Sequence, residues 1–385
     1  MRRYIALFIT ALLVLTSPTA FAKKQDNINL NLNCKAALLM ENSTGKILYE
    51  YNAHEKVYPA SVTKIMVMLL TMEAVDSGSI KLSDKVVISA RAKSMGGSTM
   101  FLEQGEIRTV EELLKGVAVE SANDAAVALA EFLAGTEEAF VEKMNKRAKE
   151  LGMKNTNFVN CTGFFDPNHY TTAYDVALMS RELLKHPKIL DYTKIWMETI
   201  SEGRKEPFTL VNRNKMIKSY NGCDGLKTGY VKESMYCISA TASRNGLRFI
   251  AVIMGAPSAK ERNEMAAKLL DVGFSKYQSI TAVKKGDVVG EISLPMAKPN
   301  KVKLIANEDL KILLEKGAKV NYEIKVDLFK DLKLPIKKGE IVGIAKAVDG
   351  EKVYGQVPVV VDTDIVKVNY FDVLEKMLKL YLNIN

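Results

Sequence analysis

From Ile65 to Met72 the chain is apolar nearly all the way round a helix, because Ile65, Met66, Met68, Leu69, Leu70 and Met72 leave no polar face. Such a helix must be enclosed on every side, which demands layers of structure built around it. With 385 residues, 48% hydrophobic and 26% charged, the chain can bury a full core and divide into two domains with appendages. Pro59 stands just before this helix, and Ser61-Val62-Thr63-Lys64 forms its opening turn.

A serine with a lysine three residues later sits one helical turn away, so both side chains point into one cleft. A lysine amine so placed can take the serine's proton and turn the hydroxyl into a nucleophile. The head of a buried helix also offers free N–H groups to a developing negative charge. Two further motifs follow in order. Ser121-Ala122-Asn123 interrupts a helical stretch from Val110 to Ala134, and Lys227-Thr228-Gly229 lies in a strand. Each motif alone is weak: S-x-x-K is common on helix surfaces, S-x-N is usually a cap or turn, and K-T-G can simply end a strand. Their order and contexts together point to one site with a serine nucleophile.

Arg2 and Arg3, an apolar run from Ile5 to Leu15, and Ala20-Phe21-Ala22 read as a secretory signal over residues 1–22. Export to the cell envelope is therefore expected. Removing that segment lowers the net charge from +9 to +7, 52 basic residues against 45 acidic. An excess that small suits an anionic envelope surface, and no stretch mixes clustered basic residues with aromatics as nucleic-acid binding requires. Cys34, Cys161, Cys223 and Cys237 lack C-x-x-C spacing; three pairings are open to them, and buried thiols are the plainer reading. His54, His169 and His186 have no metal-ligand spacing, so neither metal nor cofactor is expected.

Along the chain, a hairpin (Ala36 to Met40 and Lys46 to Tyr51) precedes the serine motif, and Ala90 to Gln104 reads as a loop bordering the site. Helices are expected over Glu137 to Leu151, Thr172 to Leu184 and Arg262 to Leu270. Strands are expected over Leu226 to Tyr230, Cys237 to Ala242 and Leu247 to Ile253. This order describes an α/β-type domain over residues 33–277, a sheet with helices on its faces. Short β-rich runs then alternate with Lys-Gly, Lys-Pro and Asp-Gly turns, giving a small all-β domain over residues 283–362. In residues 366–385 a stripe of Phe371, Leu374, Met377, Leu378 and Tyr381 marks an amphipathic helix, either a membrane-surface anchor or a helix packed on its own domain.

The motif blocks carry a resemblance. Tyr58-Pro59-Ala60-Ser61-Val62-Thr63-Lys64-Ile65-Met66, Ser121-Ala122-Asn123-Asp124-Ala125-Ala126 and Asn221-Gly222-Cys223-Asp224-Gly225-Leu226-Lys227-Thr228-Gly229 resemble the low-molecular-mass penicillin-binding proteins that act as serine-type D-alanyl-D-alanine carboxypeptidases. The resemblance implies the α+β penicillin-binding/β-lactamase-like fold, its antiparallel sheet covered by helices, with a β-rich C-terminal domain. It implies that Ser61 attacks the terminal D-Ala-D-Ala bond of peptidoglycan stem peptides and is acylated by β-lactam antibiotics. In that reading Lys64 is the base, Ser121 relays a proton, and Asn123 holds the substrate amide. The N–H groups of Ser61 and Tyr230 form the oxyanion hole, while Lys227, Thr228, Arg262 and Arg213 hold the terminal carboxylate beside Gly229. It also implies a place at the outer face of the cytoplasmic membrane. Tyr230 departs from a histidine, and Tyr174 from an arginine, found in some relatives.

Two rivals remain open on sequence. A β-lactamase of class A needs a water-activating glutamate, and Glu182-Leu183-Leu184 is the nearest approach to E-x-x-L-N between Asn123 and Lys227. A binding or scaffold protein with a vestigial site would have no reason to keep all three motifs.

Overall fold

A computed structural model describes residues 30–200 and 206–369, with positions 374 and 381; from Leu32 onward the described chain belongs to one compact unit. The proposed signal segment lies outside the described residues, as does most of the proposed C-terminal helix.

Five antiparallel strands form the main sheet in the order Ile47–Tyr51, Ala36–Glu41, Leu247–Ala256, Met235–Arg244, Cys223–Val231. The strand carrying Lys227, Thr228 and Gly229 is therefore at one edge, with a side open toward the rest of the domain. Alternation along Leu247–Ala256 sets the layers. Ile250, Val252 and Met254 enter the core that also holds the helix Lys64–Asp76. Phe249 faces the other way, edge-on to Phe274 at 4.9 Å, under the helix Ala259–Lys276. Gly273 makes that packing fit, since a Cβ there would lie 2.9 Å from the Phe249 ring.

The helix Lys64–Asp76 is enclosed as its sequence demands, with Ile65, Met66, Val67, Met68 and Leu69 all fully buried. Around it pack Asn123–Ala134, Glu137–Glu150 and Ala173–Leu183. The last two have side-chain N-caps, Thr136 accepting from the Ala139 N–H and Thr172 from the Asp175 N–H. Some details here differ from the sequence reading. Ser61 lies on a 3₁₀ turn, Ala60–Thr63, and the α-helix begins only at Lys64. Ala90–Lys93 is a short helix capped by Ser89 within the expected loop. A two-stranded ribbon, Met197–Ile200 with Phe208–Val211, stands where no element was expected.

Beyond Lys276 a second five-stranded antiparallel sheet follows, ordered Val288–Ser293, Lys301–Ala306, Lys352–Val361, Ile341–Asp349, Glu323–Leu328. The pair Tyr277–Val283 and Leu310–Glu315 packs on it: a Cβ at Gly355 would lie 2.5 Å from the Lys311 carbonyl oxygen. Val342, Ala345, Val359 and Ile312 are among its buried core residues. Val366 and Lys367, inside the segment expected to be helical, instead pair with Ala297 and Lys298 as a short ladder.

Because Leu69 is fully buried in the core, Leu69→Ala should lower the unfolding free energy by about 2–5 kcal/mol. Urea denaturation followed by circular dichroism checks this.

Candidate active site

The turn bearing Ser61 is held in place by two glycines from distant segments. Ala60 takes a left-handed φ of 48°, unusual for a residue with a Cβ. A Cβ at Gly163, whose φ is +85°, would fall 1.9 Å from the Ala60 carbonyl oxygen. A Cβ at Gly229 would lie 3.0 Å from the Ser61 nitrogen and 3.1 Å from the Pro59 oxygen. The backbones of both glycines therefore press directly on the nucleophile's turn. Gly229 belongs to the K-T-G motif; Gly163 was not singled out by the sequence.

Lys64 is fully buried one turn on. Its Nζ donates to Ser61 Oγ at 3.2 Å, to Asn123 Oδ1 at 2.6 Å and to the Thr162 carbonyl at 2.7 Å. Burial lowers its pKa from the ordinary 10.5 to about 7, against weaker opposing effects of Cys161 and Asp124. A large share of the amine is thus unprotonated near neutral pH, as a general base requires. Lys227, 2% exposed, donates its Nζ to the Thr228 carbonyl at 2.9 Å. Its pKa is driven well below the ordinary value by burial first, then by Lys64, Arg262 and Arg213, with Glu120 acting oppositely.

The S-A-N segment is shaped by a break in helicity. A π-type turn, Gly116–Glu120, ends at Ser121 with φ 68°, and the next helix starts at Asn123. Ser121 and Asn123 are both 5% exposed. Asn123 rather than Ser121 touches Lys64, and Asn123 Nδ2 donates to the Gly96 carbonyl at 2.7 Å, leaving one amide hydrogen for a ligand. Asp124 fixes the neighbouring loop by accepting from the N–H groups of Met100 at 3.0 Å and Leu102 at 3.1 Å.

The two arginines differ. Arg262 is buried on the helix Ala259–Lys276, its guanidinium on Asn263 Oδ1 at 2.9 Å, and burial lowers its pKa to about 10. Arg213 is half exposed and ion-paired with the buried Glu120. Tyr230 turns its side chain outward, 55% exposed, against Tyr236 with ring centroids 4.5 Å apart. Beside Glu120 and Arg213 opens a cleft of about 320 Å³, walled by Phe101, Phe208 and Val211.

The structure thus brings together Ser61, Lys64, Asn123, Lys227 and Gly229, with Ser121 buried in the turn that precedes Asn123. It adds the Thr162 carbonyl, Gly163 and Gly96. It also adds His169, whose Nδ1 accepts from the Val159 N–H at 3.1 Å, so that Nε2 donates to Thr63 Oγ1 at 2.8 Å. Burial lowers its pKa to about 4, keeping this strut neutral. All four cysteines are free thiols, with Cys161, Cys223 and Cys237 buried. Among the described residues no cluster of three or more His, Cys, Asp or Glu could hold a metal ion.

Comparison with known proteins identifies the family. A family model described as D-alanyl-D-alanine carboxypeptidase matches residues 19–258, and one described as penicillin-binding protein 5, C-terminal domain, matches residues 277–367. The D-alanyl-D-alanine carboxypeptidase DacF of Bacillus subtilis is 44% identical, with 98% of each chain covered. Penicillin-binding protein 5 from Haemophilus influenzae superposes with a TM-score of 0.69 at 31% identity, covering 87% of this chain and 98% of that one. Penicillin-binding protein D2 from Listeria monocytogenes, in its ampicillin-bound form, gives a TM-score of 0.58 at 32% identity, covering 64% and 99%.

Gly163→Ala should both strain the backbone at positive φ and push on the Ala60 carbonyl, costing about 2 kcal/mol or more. A lower melting temperature together with loss of Ser61 reactivity is the expected result; unchanged values of both would contradict the packing described.

Proposed function

Because the chain belongs to the D-alanyl-D-alanine carboxypeptidase family of penicillin-binding proteins, we propose that it cleaves the terminal D-alanine from peptidoglycan stem peptides through an acyl-enzyme on Ser61. The observation that carries this reading is the buried Lys64 amine, 3.2 Å from Ser61 Oγ with a pKa of about 7. Lys64 takes the serine proton as Oγ attacks the carbonyl between the two D-alanines. The N–H groups of Ser61 and Tyr230 receive the oxyanion, a role supported by the contact of Gly229 with the Ser61 turn. Ser121 passes the proton to the departing amine. Asn123 holds the substrate amide with its remaining hydrogen. Lys227, Thr228, Arg262 and Arg213 supply charge and hydroxyl for the terminal carboxylate. Water then frees the shortened peptide. β-Lactams acylate the same serine, in keeping with the ampicillin-bound Listeria relative.

The β-lactamase reading is weakened by Glu182, the nearest glutamate to that motif. It is occupied by ion pairs to Arg147 and Lys185, at 2.9 and 2.7 Å.

We further propose that residues 1–22 direct export, that residues 33–277 form the catalytic domain and residues 283–362 a separate β domain. The stripe beginning at Phe371 anchors the enzyme at the outer face of the cytoplasmic membrane. Among the described residues no helix is long and apolar enough to cross a membrane.

Intact-mass spectrometry after brief exposure to benzylpenicillin should show one lasting adduct, lost in Ser61→Ala and formed about 10²–10⁴-fold more slowly in Lys64→Ala. The acylation rate should rise with pH and level off above about 7, because the neutral form of Lys64 is the active one. Wild-type acylation by Ser61→Ala would refute the assignment. A chain ending at Asn369 should leave lipid vesicles that retain the full-length enzyme, with unchanged specific activity; equal partitioning of the two would refute the anchor.

A further inference from the structure

Two backbone contacts of the reacting centre come from one turn, residues 160–164. The Thr162 carbonyl accepts from Lys64 Nζ at 2.7 Å, and Gly163 packs against the Ala60 carbonyl. A single side chain organises this turn. Asn160 Oδ1 accepts from the Gly163 N–H at 2.7 Å, from the Thr162 N–H at 3.2 Å and from the Thr162 hydroxyl at 3.1 Å. Asn160 Nδ2 donates to the Phe164 carbonyl at 3.1 Å and closes the turn from its far end. Asparagine suits this place, since its short amide reaches backbone N–H groups two and three residues on. A second anchor does not involve Asn160. The Cys161 N–H and thiol each lie 3.4 Å from Oε1 of the buried Glu137, which is ion-paired with Arg91 at 2.9 Å.

What the Thr162 carbonyl does for Lys64 follows from counting hydrogens. As an ammonium, Nζ carries three and meets three acceptors: Ser61 Oγ, Asn123 Oδ1 and the Thr162 carbonyl. As a neutral amine it keeps two hydrogens and a free electron pair. The oxygens of Asn123, at 2.6 Å, and of Thr162, at 2.7 Å, can only accept, so they hold those two hydrogens. The Ser61 hydroxyl, at 3.2 Å, can donate, and the electron pair is left facing it. With the Thr162 carbonyl displaced, the amine is free to turn about its Cε–Nζ bond and the pair loses its aim.

We propose that Asn160 is a positioning residue for the acylation step, its carboxamide holding the Thr162 carbonyl against Lys64 so that the amine's electron pair faces the Ser61 hydroxyl. The inference rests on the Ser61 acyl-enzyme reading above. The Oγ proton passes to that pair as Oγ bonds to the substrate carbonyl carbon, and the carbonyl oxygen takes the negative charge. Asn160 acts through the Thr162 backbone. The titratable groups that act on Lys64, or on which it acts, are Cys161, Asp124, His169 and Lys227, and all keep their identity when position 160 is changed.

The test follows benzylpenicillin acylation of the mature enzyme by timed intact-mass spectrometry, across the neutral pH range, for the unaltered chain, Asn160→Ala and Asn160→Asp. Rate constants are read from the approach to complete adduct, so partial loss of folded enzyme cancels. Asn160→Ala should lower the plateau rate about tenfold, because the amine is no longer aimed. It should also move the midpoint of the pH profile below that of the unaltered enzyme, because the ammonium loses an acceptor. Asn160→Asp keeps an oxygen for the Thr162 and Gly163 N–H groups, so its plateau should stay within about twofold of the original, while its negative charge moves the midpoint upward. A merely structural role would leave both midpoints in place. An unaltered profile in Asn160→Ala, a plateau that Asn160→Asp fails to restore, or midpoints that do not move overturns the positioning role and leaves the serine assignment intact. Absence of any adduct in the unaltered enzyme overturns the two together.

Discussion

Enclosure of the Lys64 amine without a carboxylate partner sets the terms for the whole site. An ammonium taken out of water loses its hydration, so the proton is held less tightly and the pKa falls to about 7. The fall would be undone by an adjacent carboxylate, and Nζ instead meets a hydroxyl, a side-chain amide oxygen and a backbone carbonyl. Asp124, close enough to oppose the shift, turns its oxygens toward the Met100 and Leu102 N–H groups. The first turns of the apolar helix, Lys64 to Leu69, are buried throughout, and the surrounding helices and sheet provide that enclosure.

The same requirement explains the assembly from three distant segments. The Ser61 turn lies between the strand edge at Gly229 and the Thr162-Gly163 turn, and neither approach leaves room for a Cβ. The S-A-N turn closes the remaining side through Asn123. Lys227 is buried close enough to Lys64 for that lysine, after burial itself, to help hold the Lys227 pKa well below the ordinary value.

Much of this was legible in the sequence because the reactive groups are side chains in compact motifs. Ser61, Lys64, Asn123, Lys227 and Gly229 meet as their order and contexts implied. The strand runs between turns after Leu226 and the all-round apolarity after Lys64 implied a sheet with helices on its faces. What escaped was carried by backbone. The Thr162 and Gly96 carbonyls have no residue-type signature, and Gly163 is one glycine among 23 in the chain. The Glu120–Arg213 pair joins residues 93 apart in sequence, and either alone reads as a surface charge. The ribbon bearing Phe208 has strands of only four residues, too short for a clear period. Ser61 lies on a 3₁₀ turn against which the backbones of Gly163 and Gly229 pack, a contact with no signature near Ser61 in the sequence.

The most direct test of the account is the ionisation of Lys64 itself, followed by NMR of the enzyme carrying ¹³Cε-labelled lysine and assigned by comparison with Lys64→Arg. A resonance titrating near pH 7 is the predicted result. A Lys64 that titrates near the ordinary value of 10.5 would contradict the claim that burial makes this lysine the base.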